Sequence, residues 1–299
     1  MSVATSSRER VRPPEERQAP QARGRGGPLT RRPVAAIVSV IVIGVFALGP
    51  VLWMIITAFT PDQDIFQFPP TLDRGFTFDH FVSVLTDATL MRFMVNGIVV
   101  SIATALLSLV IGFAAGYAFS KFRFLGRSPI MYLLLIAQMV PEVLLLLTLY
   151  TSFDALGLLN TYGALILSYT TFTLPLSVWM MKNTFDAVPD ELIEAARIDG
   201  ASEWRIMTSV ILPVTRTPLI AVGLFAFIRA WNDLAFALTL VGTEHQTLPA
   251  GLSLTFLGEF QSSYGEMLAA SLVTSIPVVI IFLALQRHFV SGALSGSVK

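Results

Sequence analysis

Six times along this chain an apolar run reaches about the length that a helix needs to cross a hydrocarbon layer, roughly 20 residues. Residues 33–59 and 93–120 carry no charge at all. The third run, 129–150, is interrupted only by Glu142, and the fourth, 160–181, by nothing. The fifth, 218–242, holds Arg229 and Asp233, and residues 267–286 close the series. An open strand in lipid would leave backbone N–H and C=O groups unpaired, whereas a helix pairs its own. The expected fold is therefore all-α and integral to a membrane, with six transmembrane helices. Composition agrees: of 299 residues, 13% are charged, against about 25% in soluble domains.

The connections give an orientation. Lys121, Arg123 and Arg127 follow the second run, Lys182, Arg197, Arg205 and Arg216 the fourth, and Arg287 and Lys299 the last. The alternate connections are poor in cations: residues 151–159 hold only Asp154, and residues 243–266 hold Glu244, Glu259 and Glu266 with no Lys or Arg. Lys and Arg accumulate on the cytoplasmic side, so both termini are expected in the cytoplasm. Residues 1–32 carry eight Arg among Pro and Gly and almost no large apolar side chain. Such a segment buries too little surface to offset its ordering entropy, and it reads as a disordered basic cytoplasmic tail. Residues 33–299 are then the membrane domain.

Several chemistries are excluded. The chain has no Cys, so it has no thiolate ligand or thiol nucleophile. His80, His245 and His288 stand far apart, outside any metal-binding spacing. No GxxxxGK[ST], GxGxxG or HExxH occurs. Any ATP-driven work needs a separate subunit. Two features point to packing: "GFAAG", where Gly112 and Gly116 would let helix backbones approach closely, and Pro141 and Pro277, each placed to kink a span.

The most polar internal stretch is residues 191–213, "ELIEAARIDGASEWRIMTSVILP", within the 182–217 connection. Pro189 suits a first helical position, followed by Asp190 and Glu191 at the positive helix end. Leu192, Ala195, Ala196 and Ile198 supply a narrow apolar face, and Gly200 after Asp199 supplies the left-handed cap. Ser202 can cap a second helix on which Trp204, Met207 and Ile211 share a face, closed by Pro213. Three readings compete. A helix lying on the membrane surface would be acidic, which anionic lipid repels. A nucleic-acid reader would need basic phosphate contacts. A docking element needs a slim face that enters a cleft on another protein, and an Ala-Ala face beside a glycine turn is slim.

"EAARIDGA" followed by "ILP" resembles the EAA loop of binding-protein-dependent ABC importers: Glu194, Ala195, Ala196, Gly200, Leu212 and Pro213 match its pattern in order. The surrounding "VPDELIEAARIDGAS", "RAWNDLAFALTL" and the tail "FVSGALSGSVK" are similar to the carbohydrate branch, above all to the maltose-type permease partner with six spans and a short N-terminus. The resemblance implies a type I ABC importer permease fold in a bacterial or archaeal cytoplasmic membrane. It implies that Glu194, Ala195, Ala196, Asp199 and Gly200, with Leu212 and Pro213, form a coupling helix seated on an ATPase. It also implies partners: a second homologous permease, two copies of an ATP-binding subunit and an extracytoplasmic solute-binding protein. This chain would carry no cofactor, ATP and magnesium belonging to the partner ATPase. Residues 292–299 would reach toward the ATPase interface, although the glycine that often follows the last Lys is missing.

Charges inside the spans are costly and usually face a bundle interior or a water-filled path. Arg229 and Asp233 lie four residues apart, which on one helix makes them either a structural ion pair or a polar lining. Trp231 and Asn232 lie beside them, residue types that stack on and hydrogen-bond to sugars. The resemblance supports the Trp-Asn-Asp stretch, while Arg229 departs from its pattern. Glu142 would face the same cavity or pair with Arg229. The function these features imply is the permease of an ABC importer for a carbohydrate, an oligosaccharide or similar polyol-rich solute. Two alternatives stay open: the same architecture for a non-sugar solute, and an ion-coupled secondary transporter using Glu142, Arg229 and Asp233 as a proton relay.

Overall fold

A computed structural model describes residues 32–67, 75–257 and 263–295. Among the described residues every regular element is helical. The basic tail expected over residues 1–32 lies outside them, save Arg32, which opens the first helix; so do residues 296–299 of the C-terminal tail. The chain divides into two units, Met1–Pro50 and Val51–Lys299. Helix α1 (Arg32–Ala58) runs across the division. Its large apolar side chains stand exposed, Phe46 by 85%, a surface suited to hydrocarbon rather than water.

In the second unit, α2 (Asp62–Ile65) and α3 (Asp79–Thr86) lead into α4 (Ala88–Lys121). Asp87 caps α4 by accepting the Thr89 and Leu90 N–H groups at 2.7 and 3.0 Å. Next come α5 (Arg127–Ala137), α6 (Glu142–Ala155), α7 (Tyr162–Asp186) and α8 (Asp190–Ile198). The short α9 (Glu203–Arg205) continues as a π-helical turn over Ile206–Ile211 into α10 (Leu212–Val214). The last elements are α11 (Arg216–Trp231), α12 (Ala235–Leu240), α13 (Leu248–Phe256) and α14 (Tyr264–Ser295).

The helices α1, α4, α7 and α14 are each long and apolar enough to cross a membrane. The third and fifth runs are not single helices. The third breaks into α5 and α6, bent by 100° at residues 138–141. Pro141 has no N–H and bars its predecessor from helical geometry, so it ends one helix and stands at the N-cap of the next. It therefore does more than the kink expected of it. Pro277, by contrast, stays inside α14. The fifth run stops after Trp231 and resumes at Ala235. The 16 residues of α11 span about 24 Å at the helical rise, short of a hydrocarbon core of about 30 Å.

The most extensive helix pairing in this unit is α4 against α7. A Cβ placed on Gly116 would fall 2.6 Å from Met181 Cβ, and one on Gly112 would fall 3.1 Å from Ser177 Cβ. The "GFAAG" spacing is thus the line where two backbones meet. One turn further along, the buried Ser108 and Thr173 hydroxyls lie 2.7 Å apart. We predict that Gly116→Val, which overfills this contact, lowers stability by about 1–3 kcal/mol. Thermal unfolding of the detergent-solubilised protein measures it, and Gly112→Ala, with more room, should cost less.

Candidate functional site

A cavity of about 230 Å³ opens between α6, α7 and the break that separates α11 from α12. It brings together Glu142, Arg229, Asn232 and Asp233, four of the five candidates drawn from the sequence. Arg229 and Asp233 do not pair with each other. Helix α11 ends between them, and each takes a distant partner. Arg229 Nη2 donates to Glu142 Oε1, a residue on α6. Asp233 Oδ2 accepts the Tyr169 hydroxyl at 2.8 Å and the N–H groups of Phe236 and Ala237 at 3.1 Å each. Asp233 is therefore the cap that starts α12 and the tie that holds it to α7.

Asn232 is exposed and donates its Nδ2 to Ile228 O at 2.9 Å. Trp231 is not in the cavity. Only 2% exposed, it stacks on Phe227 and lies against Gly97, where an added Cβ would come 3.2 Å from its ring. The large aromatic at the end of α11 packs the core, and the side chains one and two residues later turn to the cavity. Tyr169, Phe172 and Thr173 complete the wall. The sequence has one hint of them: residues 168–173, "SYTTFT", form a hydroxyl-rich patch in the fourth run.

The second candidate is the insert between the fourth and fifth runs. Pro189 stands at the N-cap of α8, one position earlier than the sequence suggests. The C-terminus of α8 closes as a Schellman motif: Gly200 has φ +78°, its N–H meets Arg197 O at 3.0 Å, and Ala201 N–H meets Ala196 O at 3.0 Å. Ser202 Oγ then accepts the Arg205 N–H at 3.4 Å, as an N-cap should.

The second helix differs from the expected one. Across the π-helical turn, Ile206 and Ile211 are five residues apart and both wholly buried, while Trp204 points outward at 73% exposure. The face anticipated for Trp204, Met207 and Ile211 is split, because the wider turn changes which residues align. Nor does Pro213 end it. The chain stays helical through Val214 and bends by 85° before α11.

The insert is two-sided. Ile193, Ile206 and Ile211 pack inward against Tyr117 of α4, Met181 and Phe185 of α7 and Val222 of α11, with Ala196 beside them. Leu192, Glu194, Ala195, Ile198, Asp199 and Gly200 face outward, as do Leu212 and Pro213. Polar ties fix the mount: Lys121 Nζ reaches Val188 O at 2.8 Å and Asp190 Oδ1 at 2.6 Å. Glu203 accepts from Tyr117 at 3.1 Å and from Arg197 Nε at 2.9 Å. Lys121 and Tyr117, missed in the sequence, are end-of-helix residues whose partners lie far along the chain.

Residues 108–294 match the family described as the binding-protein-dependent transport system inner membrane component, a range that includes the cavity and the insert. The chain belongs to this family. It is a multi-pass protein of the cytoplasmic membrane and a transport subunit, not an enzyme. The trehalose/maltose transport system permease protein MalG of Thermococcus litoralis is 35% identical over 270 residues, 89% of this chain and 96% of that protein. The diacetylchitobiose uptake system permease protein DasC of Streptomyces coelicolor is 33% identical over 88% of this chain and 95% of its own. A crystal structure of a bacterial ABC transporter that imports the acidic polysaccharide alginate shares the fold, with a TM-score of 0.73 at 21% identity over 86% of this chain and 96% of that one.

Binding-protein-dependent transport is an alternative to ion coupling, and family membership decides between them. Within this permease, Asp233 and Asn232 have separable duties. Asp233→Ala removes a helix cap, worth about 1 kcal/mol, and orphans the Tyr169 hydroxyl. It should destabilise the protein and speed hydrogen exchange at the Phe236 and Ala237 amides. Asn232→Ala should leave stability within about 0.5 kcal/mol, so that any loss of transport it causes is local to the cavity.

Proposed function

We propose that this chain is one of two permease subunits of a type I ABC importer that carries an oligosaccharide or a similar polyol-rich solute inward. The observation that carries the reading is the two-sided insert. A helix anchored inward through Ile193 and Ala196 and presenting Glu194, Ala195 and Gly200 outward suits a part that fits a cleft on another protein. This reading assigns ATP and magnesium to that partner, and the lack of a phosphate loop in the sequence agrees with it. In this reading Glu194, Ala195, Ala196, Asp199, Gly200, Leu212 and Pro213 couple the ATPase to the spans. The names of the relatives support a carbohydrate, as do the hydroxyl and carboxylate groups of the cavity.

The assembly would comprise a second homologous permease, two ATP-binding subunits and an extracytoplasmic solute-binding protein. Six spans, the third and fifth broken, leave both termini and the 182–217 loop in the cytoplasm, as the distribution of Lys and Arg supports. Residues 1–32 form a basic tail ahead of the permease domain. Broken helices around a central site are a recurring device for alternating access. ATP would draw the coupling helices together and open the cavity outward, and hydrolysis would return it. Ala195→Arg, at an exposed position, should abolish co-purification of the ATPase and solute uptake while thermal stability stays unchanged. Gly200→Glu should do the same with some loss of stability, since its φ is left-handed. Normal assembly and uptake in Ala195→Arg would refute docking through this face.

A further inference from the structure

The cavity lining holds three acidic or basic side chains, and only two of them pair with each other. Glu142 lies in the first turn of α6, where unpaired N–H groups favour an anion. Arg229 lies in the last turn of α11, where unpaired carbonyls favour a cation. The pair is thus held by both helix ends as well as by its own hydrogen bond. Both side chains line the cavity and stay partly exposed, Arg229 by 48% and Glu142 by 40%. Among the described residues Asp233 has no cationic partner. Its three donors are a phenol and two amides, which position the carboxylate without cancelling its charge. With both carboxylates ionised, two carboxylates and one guanidinium give the lining one net negative charge.

We propose that Glu142 is a specificity-determining residue: it masks Arg229 and sets the cavity to accept neutral, hydroxyl-rich solutes and to reject those bearing a carboxylate or phosphate. The inference rests on the reading of this cavity as part of the solute path. Sugar hydroxyls donate hydrogen bonds to carboxylate oxygens and to the Asn232 carbonyl and displace nothing. An acidic sugar must take Arg229 from Glu142, leaving an unpaired carboxylate next to its own charge in surroundings of low dielectric. Removing the Glu142 charge reverses this balance. It exposes a guanidinium whose fork of N–H groups matches a carboxylate.

The absence of Cys from the chain gives a direct test whose charge readout needs no knowledge of the solute. Ala235→Cys places one thiol in the lining, in the whole importer in lipid nanodiscs with its partner subunits also free of Cys. Its modification rates by an anionic and a cationic methanethiosulfonate report the charge of the cavity, corrected by a thiol at an exposed loop position. The anionic-to-cationic rate ratio should rise at least about tenfold in Glu142→Gln and fall back when Arg229→Gln is added. A ratio that stays within twofold across these variants overturns the charge filter. In sealed proteoliposomes of the same importer, labelling of the thiol should also stop solute uptake. Uptake that continues at the unlabelled level overturns the solute path itself, and the proposal with it, a failure distinct from a flat ratio.

Discussion

The close approach of α4 and α7 is the contact on which both candidate sites depend. In hydrocarbon there is no solvent effect to drive apolar helices together, so contact distance and polar bonds between helices must supply the attraction. Gly112 and Gly116 let the backbones of Ser177 and Met181 come within reach. The buried Ser108–Thr173 pair adds a hydrogen bond at 2.7 Å on the same line. Helix α7 then carries Tyr169 and Phe172 to the cavity, and Met181 and Phe185 to the insert. One helix pair thereby fixes the geometry at both ends.

Between those ends the connection is made by α11. Val222 lies in the apolar cluster that receives Ile206 and Ile211 of the insert. Arg229, two turns later on the same helix, binds Glu142 across the cavity. In the proposed coupling, a push on the insert would reach α11 through these packed side chains, because close-packed interiors transmit strain. The far end of α11 is where the chain breaks, so displacement there changes the distance between two half-spans. The Glu142–Arg229 pair bridges that gap.

What the sequence reveals about this fold follows the range of each interaction. The apolar runs, the glycine at the end of α8, the Ser202 cap and the small residues of α4 all obey local rules, and the structure has them where those rules place them. The breaks do not. Pro141 ends a helix while Pro277 lies within one, and a proline's own chemistry is the same in both. The difference comes from what can satisfy the freed backbone. Likewise, spacing alone puts Arg229 and Asp233 on one face, but Asp233 leaves the helix because Tyr169, 64 residues away, holds it. Trp231 looks like a sugar platform in sequence, yet Gly97 leaves a slot for it in the core. The π-helical turn is equally hidden, since a one-residue change in register leaves no mark on an apolar pattern.

Both breaks are secured by the same neighbour. At the first, Gln138 Nε2 donates to Phe172 O at 2.9 Å; at the second, Tyr169 donates to Asp233 at 2.8 Å. Phe172 and Tyr169 are three residues apart on α7, so they lie on one face of it. An irregular backbone at membrane depth survives only where protein groups replace the missing helical bonds, and here α7 provides a group for each break. Helix α7, packed on α4 along the glycine line, thus carries the groups that hold both breaks in place. In the proposed alternating access, opening of the cavity would lengthen these bonds to α7 or pivot about them.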